Sequence, residues 1–417
     1  MKILWITNVL FDYHHCLLGN DRRKATTSGS WLSAAYDVTK KNPNIELHVA
    51  TTSDVPETLV GQSEGTHFYI LPGGSLFRYD VTSEINLTYI KKLRAVTNPD
   101  LIIIWGTESR FAWLVSKVFD DVPKYVYMQG VMSSIVEHFY DAVPSEYHYS
   151  TIKDYVNYLF GKTPYQIYKK HIKFEDDIID MSDGVIVEND WCENQCLGKK
   201  ANLRVIRDNL PIRSTFYQCK WELSKMIPHT IFTNAGGTSI KGHHILFRAL
   251  AIVKKEFPNV KLYIPGNNYL LNYKSIRKAT GYIKYLYKLY TNYQLSENIV
   301  FTGVLSSEEM AEYVRRSNVY VMPSLVENHS SSLIEAMIVG APCITSLVGG
   351  TANLIQYGKN GYIYNSLEPV TLAGCITSIF RNSDKAESFA NEAYKLRDSR
   401  KQNFENVLLE LEKLISK

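Results

Sequence analysis

What most constrains the fold is an alternation of short apolar runs with amphipathic segments, carried through the chain in two series. In the first series, strands are read at Ile3 to Ile6, Ile45 to Ala50, His67 to Leu71, Leu101 to Trp105, Lys124 to Met128, Gly184 to Val187 and Leu203 to Ile206. Helical patterns such as Gly29 to Lys40 and Ser109 to Phe119 lie between them. Such alternation predicts an α/β domain around a mainly parallel sheet. Around Asn209 to Lys225 the period weakens, and Pro211 and Pro228 bracket a polar stretch. The second series has strands at Thr230 to Thr233, Val260 to Ile264, Ile299 to Thr302, Val319 to Met322 and Pro342 to Thr345. Its helices include His243 to Phe257, Ser307 to Arg316, Ser332 to Val339 and Val370 to Phe380, and a charged helix, Lys385 to Ser416, closes the chain. The expectation is two doubly wound, Rossmann-like domains, 1–215 and 216–390, with 391–417 packing back toward the first. Two such domains imply a cleft, with ligands at the strand ends that face it.

Composition removes several function classes. A net charge of +4 over 417 residues is too small for a nucleic-acid binder. The six cysteines are scattered, with no C-x2-C pair, so neither a zinc site nor a disulfide framework is expected. That usage points to a reducing, cytoplasmic location. The opening MKILWITNVLF is interrupted by Thr7 and Asn8 and reads as a first buried strand rather than a signal peptide. No stretch reaches the roughly 18 apolar residues of a membrane span.

The densest chemistry lies from Asn318 to Tyr364, which reads as strand, polar loop, helix, strand, glycine turn, helix. Glu327 and Glu335 stand eight positions apart around Asn328, His329, Ser330, Ser331, Ser332 and Leu333. This loop feeds a helix N-terminus, where free N–H groups and the helix dipole favour a phosphorylated ligand. The carboxylates are then available for hydroxyl groups. Ser332-Leu-Ile-Glu335 is also a capping-box sequence, which gives Glu335 a purely structural alternative. For Glu327 the alternative is a solvated loop residue.

The sequence PSLVENHSSSLIEAMIVGAPCITS resembles the E-x7-E region of retaining glycosyltransferases of family 4, which have the two-domain GT-B fold. Glu327, Glu335, Ala336, Met337, Gly340 and Pro342 match the family pattern. The resemblance implies that Glu335 binds the nucleotide ribose and Glu327 the donor sugar. It implies that backbone N–H groups from Asn328 to Leu333 hold the sugar and diphosphate. Where the family has Gly-Phe-Gly, this chain has Asn328-His329-Ser330, so the donor sugar does not follow from the common pattern.

The stretch from Thr233, TNAGGTSIKGHHILFRAL, places Gly236 and Gly237 after a strand and Lys241 before a helix. Glycines permit close backbone approach, and a lysine ammonium can neutralise a leaving diphosphate. A plain strand-turn-helix connection is the alternative. The resemblance equates Lys241 with the family lysine and sets Gly236 where the family has an arginine, so one phosphate-binding cation is missing or comes from elsewhere. Gly29 and Ser30, in Thr27-Ser28-Gly29-Ser30-Trp31, suit diphosphate or acceptor binding, or a simple helix cap. Gln129-Gly130 stands where the family often has His-Gly, and Trp105 and Glu108 close the neighbouring strand. These are read as acceptor-side residues, with core packing as the alternative for Trp105. By the resemblance, the loop ending in Val304 places the nucleobase against backbone. A helix capped by Ser306 or Ser307 follows it.

Two basic, tyrosine-rich segments, Tyr149 to Lys173 and Tyr269 to Tyr293, suit an anionic membrane surface or partly buried tyrosine stripes. The membrane reading implies a peripheral position on the inner face of the plasma membrane and a lipid-linked acceptor. No D-x-D triplet occurs, so no metal and no cofactor are expected. The function so read is metal-independent transfer, with retention, of a sugar from a nucleotide diphosphate sugar to a glycan or lipid-linked acceptor. Lys241 and Glu327 would carry it. The alternatives are a non-catalytic partner that binds nucleotide sugars and a sugar-nucleotide epimerase.

Overall fold

The run Leu101–Trp105 shows why its sequence, LIIIW, is wholly apolar. All five side chains are buried, and they divide between two cores. Ile102 and Ile104 join a cluster with Leu4, Ile6 and Val126, while Ile103 and Trp105 join another with Ile3, Trp5 and Tyr127. Successive strand side chains point to opposite faces, so a strand covered on both sides has no place for a polar one.

The computed structural model describes residues 1–19, 30–74, 79–209, 212–400 and 404–415. They form two units: Met1–Ser133, Ile167–Pro211 and Gln402–Lys417 make the first, and Ser134–Gln166 and Ile212–Lys401 make the second. Strands of the first unit are β1 (Lys2–Thr7), β2 (Glu46–Ser53), β3 (Leu59–Ser63), β4 (Thr66–Pro72), β5 (Leu101–Trp105), β6 (Lys124–Tyr127), β7 (Gly184–Val187) and β8 (Arg204–Arg207). Their order across the sheet is β3-β4-β2-β1-β5-β6-β7-β8. Every pairing is parallel except β3 with β4. In the second unit β9 (Ile227–Thr233), β10 (Lys261–Ile264), β11 (Ile299–Phe301), β12 (Ser317–Met322), β13 (Cys343–Ser346) and β14 (Tyr362–Tyr364) form an all-parallel sheet. Its order is β11-β10-β9-β12-β13-β14.

Four features depart from the sequence reading. β3 carries no apolar run; it is an edge strand with alternately exposed residues. It is joined to β4 through Glu64 and Gly65, both at positive φ, as a tight two-residue hairpin turn needs. The helix expected after the glycine turn is only a 3-10 turn, Gly349–Asn353, and β14 follows it. The single closing helix is instead three pieces among the described residues: Ser383–Tyr394, Leu396–Ser399 and Glu405–Ile415.

The fourth departure is that 1–215 is not one block, because residues 134–166 pack with the second unit. Gly281 N donates to Asp154 Oδ2 at 2.5 Å, and His244 Nε2 lies 3.0 Å from the carbonyl of Asp141. A Cβ at Gly281 would sit 1.7 Å from the Tyr147 carbonyl oxygen, so the two segments touch backbone to backbone. These bonds join residues more than 100 positions apart, which no local period reveals.

The last helix, Glu405–Ile415, covers one face of the first sheet through Val407, Leu408 and Leu411. Ahead of it Phe404, fully buried, meets the rings of Trp5 and Trp105 at 6.0 and 5.4 Å. Phe404→Ala should lower the stability of this unit by roughly 3–5 kcal/mol. Leu409→Ala, at a half-exposed position on the same helix, should change it by less than about 0.5 kcal/mol. Urea titration followed by tryptophan fluorescence checks both.

Candidate functional site

The strand order of the second sheet reverses at β9. β10 and β11 follow on one side, and β12, β13 and β14 lie on the other. β9 and β12 are neighbours, with Phe232 opposite Tyr320 and Thr233 opposite Val321. Loops leaving the carboxyl ends of two such strands turn to opposite sides and leave a crevice beyond the sheet, the usual ligand position in open α/β sheets. Lys241 stands on the loop after β9, and Glu327 on the loop after β12.

These two loops are stitched together. Asn234 Nδ2 donates to Ser324 Oγ at 3.2 Å, and Leu325 N donates to the Ile240 carbonyl at 2.8 Å. Gly242 has φ +67°, and a Cβ there would lie 1.8 Å from the Pro323 carbonyl oxygen. Only glycine meets both demands. Gly236 lies as close to the His243 ring, and Gly237 faces Tyr269. The result is a short ion pair: Lys241 Nζ donates to Glu327 Oε1 at 2.6 Å, and Ser324 Oγ donates to the same oxygen at 2.7 Å. Both charged side chains keep some contact with solvent, at 33% and 13% exposure, so a ligand can reach them.

Glu335 does not cap its helix. The helix is Ser331–Val339, and its cap is Ser330, whose Oγ accepts from Leu333 N at 3.3 Å. It therefore starts one residue earlier than the sequence reading placed it. Glu335 falls in its second turn, beyond reach of the first N–H groups. The carboxylate instead takes a two-pronged contact from Arg213, Nε to Oε1 at 2.8 Å and Nη2 to Oε2 at 2.9 Å. Arg213 Nη1 also donates to Ser307 Oγ at 3.1 Å, which leaves Ser306 to cap the next helix in a full capping box with Glu309. Burial pushes the Glu335 carboxyl up, to about 7, and the Arg213 guanidinium opposes that shift.

The first-turn residues Ser331 and Ser332 are partly exposed, and their N–H groups have no acceptor within the helix. The Leu333 N–H is already taken by the cap, and its side chain lies in the core, so Leu333 adds nothing to an anion site. Asn328 is buried, and its carbonyl accepts from Gly350 N at 3.1 Å. His329 Nε2 lies 3.1 Å from Arg400 Nη1. Val304 is strongly exposed on the loop after β11, which is pinned by Gly266 N donating to the Gly303 carbonyl at 2.7 Å.

The first unit has its own reversal, at β1 and β5. Asn8 follows β1, Glu108 follows β5 and Gln129 follows β6, so all three stand at carboxyl ends of adjacent strands. Asn8 Nδ2 donates to Gln129 Oε1 at 2.7 Å and approaches Glu108 Oε2 at 3.4 Å. Enclosure pushes Glu108 up, to about 7. Asn8 Oδ1 and Gln129 Nε2 make no hydrogen bond among the described residues. Trp105 is corrected to a core residue: it is 1% exposed and stacks on Tyr127 at 4.5 Å. Gly29 lies outside the described residues. Ser30 opens the helix Ser30–Thr39.

Arg213, Ser324 and Asn8 were not singled out in the sequence. Arg213 lies in the stretch without period, and only the fold brings it to Glu335. Asn8 carried one faint signal, a polar residue at the end of an apolar strand. Among the described residues no group of three or more His, Cys, Asp or Glu is placed to hold a metal ion, and no helix is long and apolar enough to cross a membrane.

Comparison with known proteins follows this division. Residues 228–396, which lie in the second unit and leave out its segment 134–166, match the family model described as Glycosyl transferases group 1. Over 152 residues the chain is 29% identical to spore coat protein SA of Bacillus subtilis, which covers 36% of this chain and 39% of that one. Over 141 residues it is 26% identical to D-inositol 3-phosphate glycosyltransferase of Streptomyces scabiei, covering 32% of this chain and 29% of that one. The chain thus spans about two fifths or less of the length of these relatives. Solved structures match along the whole chain. HepE of Anabaena, in complex with UDP and glucose, has a TM-score of 0.68 at 15% identity and covers 100% of this chain and 99% of its own. Sucrose-phosphate synthase of Thermosynechococcus elongatus has a TM-score of 0.67 at 18% identity over 99% and 98%. The chain has the GT-B fold. Its two Rossmann-like units correspond to that class, and the site around Lys241 and Glu327 lies in the unit that the family model matches.

Arg213→Ala would leave the Glu335 carboxylate, 4% exposed, without its counter-charge. Breaking a buried pair from one side should lower stability by roughly 3–5 kcal/mol. The loss should grow with pH. The unfolded Glu ionises near its ordinary value, whereas the folded, unpaired one resists ionisation to above about 7, so stability is lost as pH rises between the two. Urea titrations at about pH 5.5 and about pH 8 check the sign.

Proposed function

We propose that the chain is a glycosyltransferase that moves a sugar from a nucleotide diphosphate sugar to a hydroxyl of a glycan or lipid-linked acceptor. One observation carries the reading: the Lys241–Glu327 pair stands beside a helix start at the strand-order reversal of the second sheet. An ammonium and partly exposed N–H groups converge there for a diphosphate, and a carboxylate stands ready for sugar hydroxyls. The match of this unit to Glycosyl transferases group 1 supports the activity, and the complexes of HepE with UDP and with UDP-glucose support the donor class.

In this reading Lys241 and the N–H groups of Ser331 and Ser332 take the charge that grows on the leaving diphosphate, without a metal ion. Glu327, fixed by Ser324, orients the donor sugar. Glu335, fixed by Arg213, accepts from the ribose hydroxyls. The N–H groups near Val304 face the base. On the first unit Asn8, Glu108 and Gln129 bind the acceptor. The bond between the sugar and the diphosphate breaks, and the acceptor oxygen bonds to the same carbon from the face of departure. The acceptor proton passes to the leaving phosphate oxygen. The sugar is thereby transferred with retention.

Two measurements test this. A thermal-shift screen over nucleotide sugars should single out one donor, since a ligand bound only to the folded state raises its stability. With that donor, Lys241→Ala and Glu327→Ala should each slow release of the nucleoside diphosphate by about 10²–10³-fold. Chelation of divalent metals should leave the rate unchanged. Wild-type turnover in both variants would sink the assignment.

A further inference from the structure

The helix Ile152–Leu159 wears its apolar face outward. Its single buried residue is Asp154, whose Oδ2 accepts from Gly281 N at the start of the helix Gly281–Asn292. Thr151 Oγ1 and Lys284 Nζ add bonds across the same seam, to the carbonyls of Ala279 and Ser150 at 3.5 and 3.3 Å. The polar face therefore holds the helix to the second unit. Ile152, Tyr155, Val156 and Leu159, spaced i, i+3, i+4 and i+7 on one stripe, are all exposed. Phe160, at 68% exposure, extends the stripe. A surface helix of a monomeric domain normally turns such a stripe inward.

The neighbouring segment does the same. Between β10 and the helix Gly281–Asn292, Leu271 and Ile276 are more than 70% exposed. Cations are interspersed with these side chains in the sequence: Lys153 and Lys162 on the first segment, and Lys274, Arg277, Lys278 and Lys284 on the second. Lys162 Nζ lies 5.5 Å from the centre of the Phe160 ring. Residues 269–293 contain no Asp or Glu. Of the two acids in 145–166, Glu146 and Asp154, the second is buried and committed to the N–H of Gly281.

We infer that this face docks on an anionic lipid bilayer. Outward apolar side chains of mixed shape interspersed with Lys and Arg match an interface of acyl chains beneath negative headgroups. Each cation near such a surface adds about 1 kcal/mol, and the apolar stripe adds burial that salt does not screen. A protein partner would need acidic groups set around an apolar ridge in one fixed arrangement. A bilayer needs only the two chemistries in this order. The inference stands apart from sugar transfer, because it rests on a different surface of the second unit and its readout is binding.

The test uses the full-length chain and sedimentation with vesicles of phosphatidylcholine containing about 30% phosphatidylglycerol. Binding is expected, falling at least about tenfold on pure phosphatidylcholine and in about 0.5 M salt. The triple change Ile152→Ser, Leu159→Ser, Phe160→Ser should weaken binding by a similar factor while leaving the melting temperature and transfer rate unchanged. Lys153→Glu with Lys162→Glu, which spares the apolar stripe, should weaken it on anionic vesicles alone. No binding by the wild type overturns the inference, as does undiminished binding by both variants. A concentration-dependent dimer in sedimentation velocity that the triple change abolishes would also overturn it, assigning the face to a second copy.

Discussion

Everything at the candidate site follows from one constraint of parallel sheets: where the order of strands reverses, neighbouring carboxyl ends send their chains apart. In the second unit that point is β9 and β12, and the two loops are then drawn back into contact by backbone and side-chain bonds. Gly242 presses against the Pro323 carbonyl, and Leu325 bonds to Ile240. Such a base is stiff, since neither loop can shift without the other. The short Lys241–Glu327 pair is a product of that stiffness rather than of two flexible side chains finding each other. The same topology in the first unit sets Asn8, Glu108 and Gln129 at adjacent strand ends.

The carboxylates of the loop and helix differ in what holds them. Glu327 keeps one lysine and one serine hydroxyl on a single oxygen, and part of the group meets solvent. Glu335 is enclosed and gripped through both oxygens by Arg213. A fork of that geometry fixes the plane of the carboxylate as well as its position. One carboxylate thus has a single oxygen engaged and the other has both, though they stand only eight residues apart.

The sequence disclosed most of this fold because buried parallel strands write themselves as apolar runs. LIIIW at Leu101–Trp105 and VYVM at the end of β12 leave little choice. β3 escaped because an edge strand with one wet face need not be apolar, and β14 because it directly follows Gly358, Asn360 and Gly361, which read as a turn. At the site, Lys241 and Glu327 were legible since each follows a strand directly. Arg213 was not, because it lies 122 positions from Glu335 in a stretch without pattern. The serine cap was misjudged by two residues, as a run of three serines offers three equivalent starts and only backbone geometry chooses Ser330.

The placement of residues 134–166 has a consequence for how the molecule is made. The chain passes between its units at 133, 166, 211 and 401, so neither unit is a continuous stretch of polypeptide. During synthesis this segment emerges well before the sheet that will receive it, and Asp154 must wait for Gly281 to be translated. At the ordinary pace of a ribosome that interval is several seconds or more. Tyr147, whose ring meets that of Tyr285 in the finished unit, also stays uncovered meanwhile, so a nascent chain stalled in this window is the form most open to capture by a chaperone.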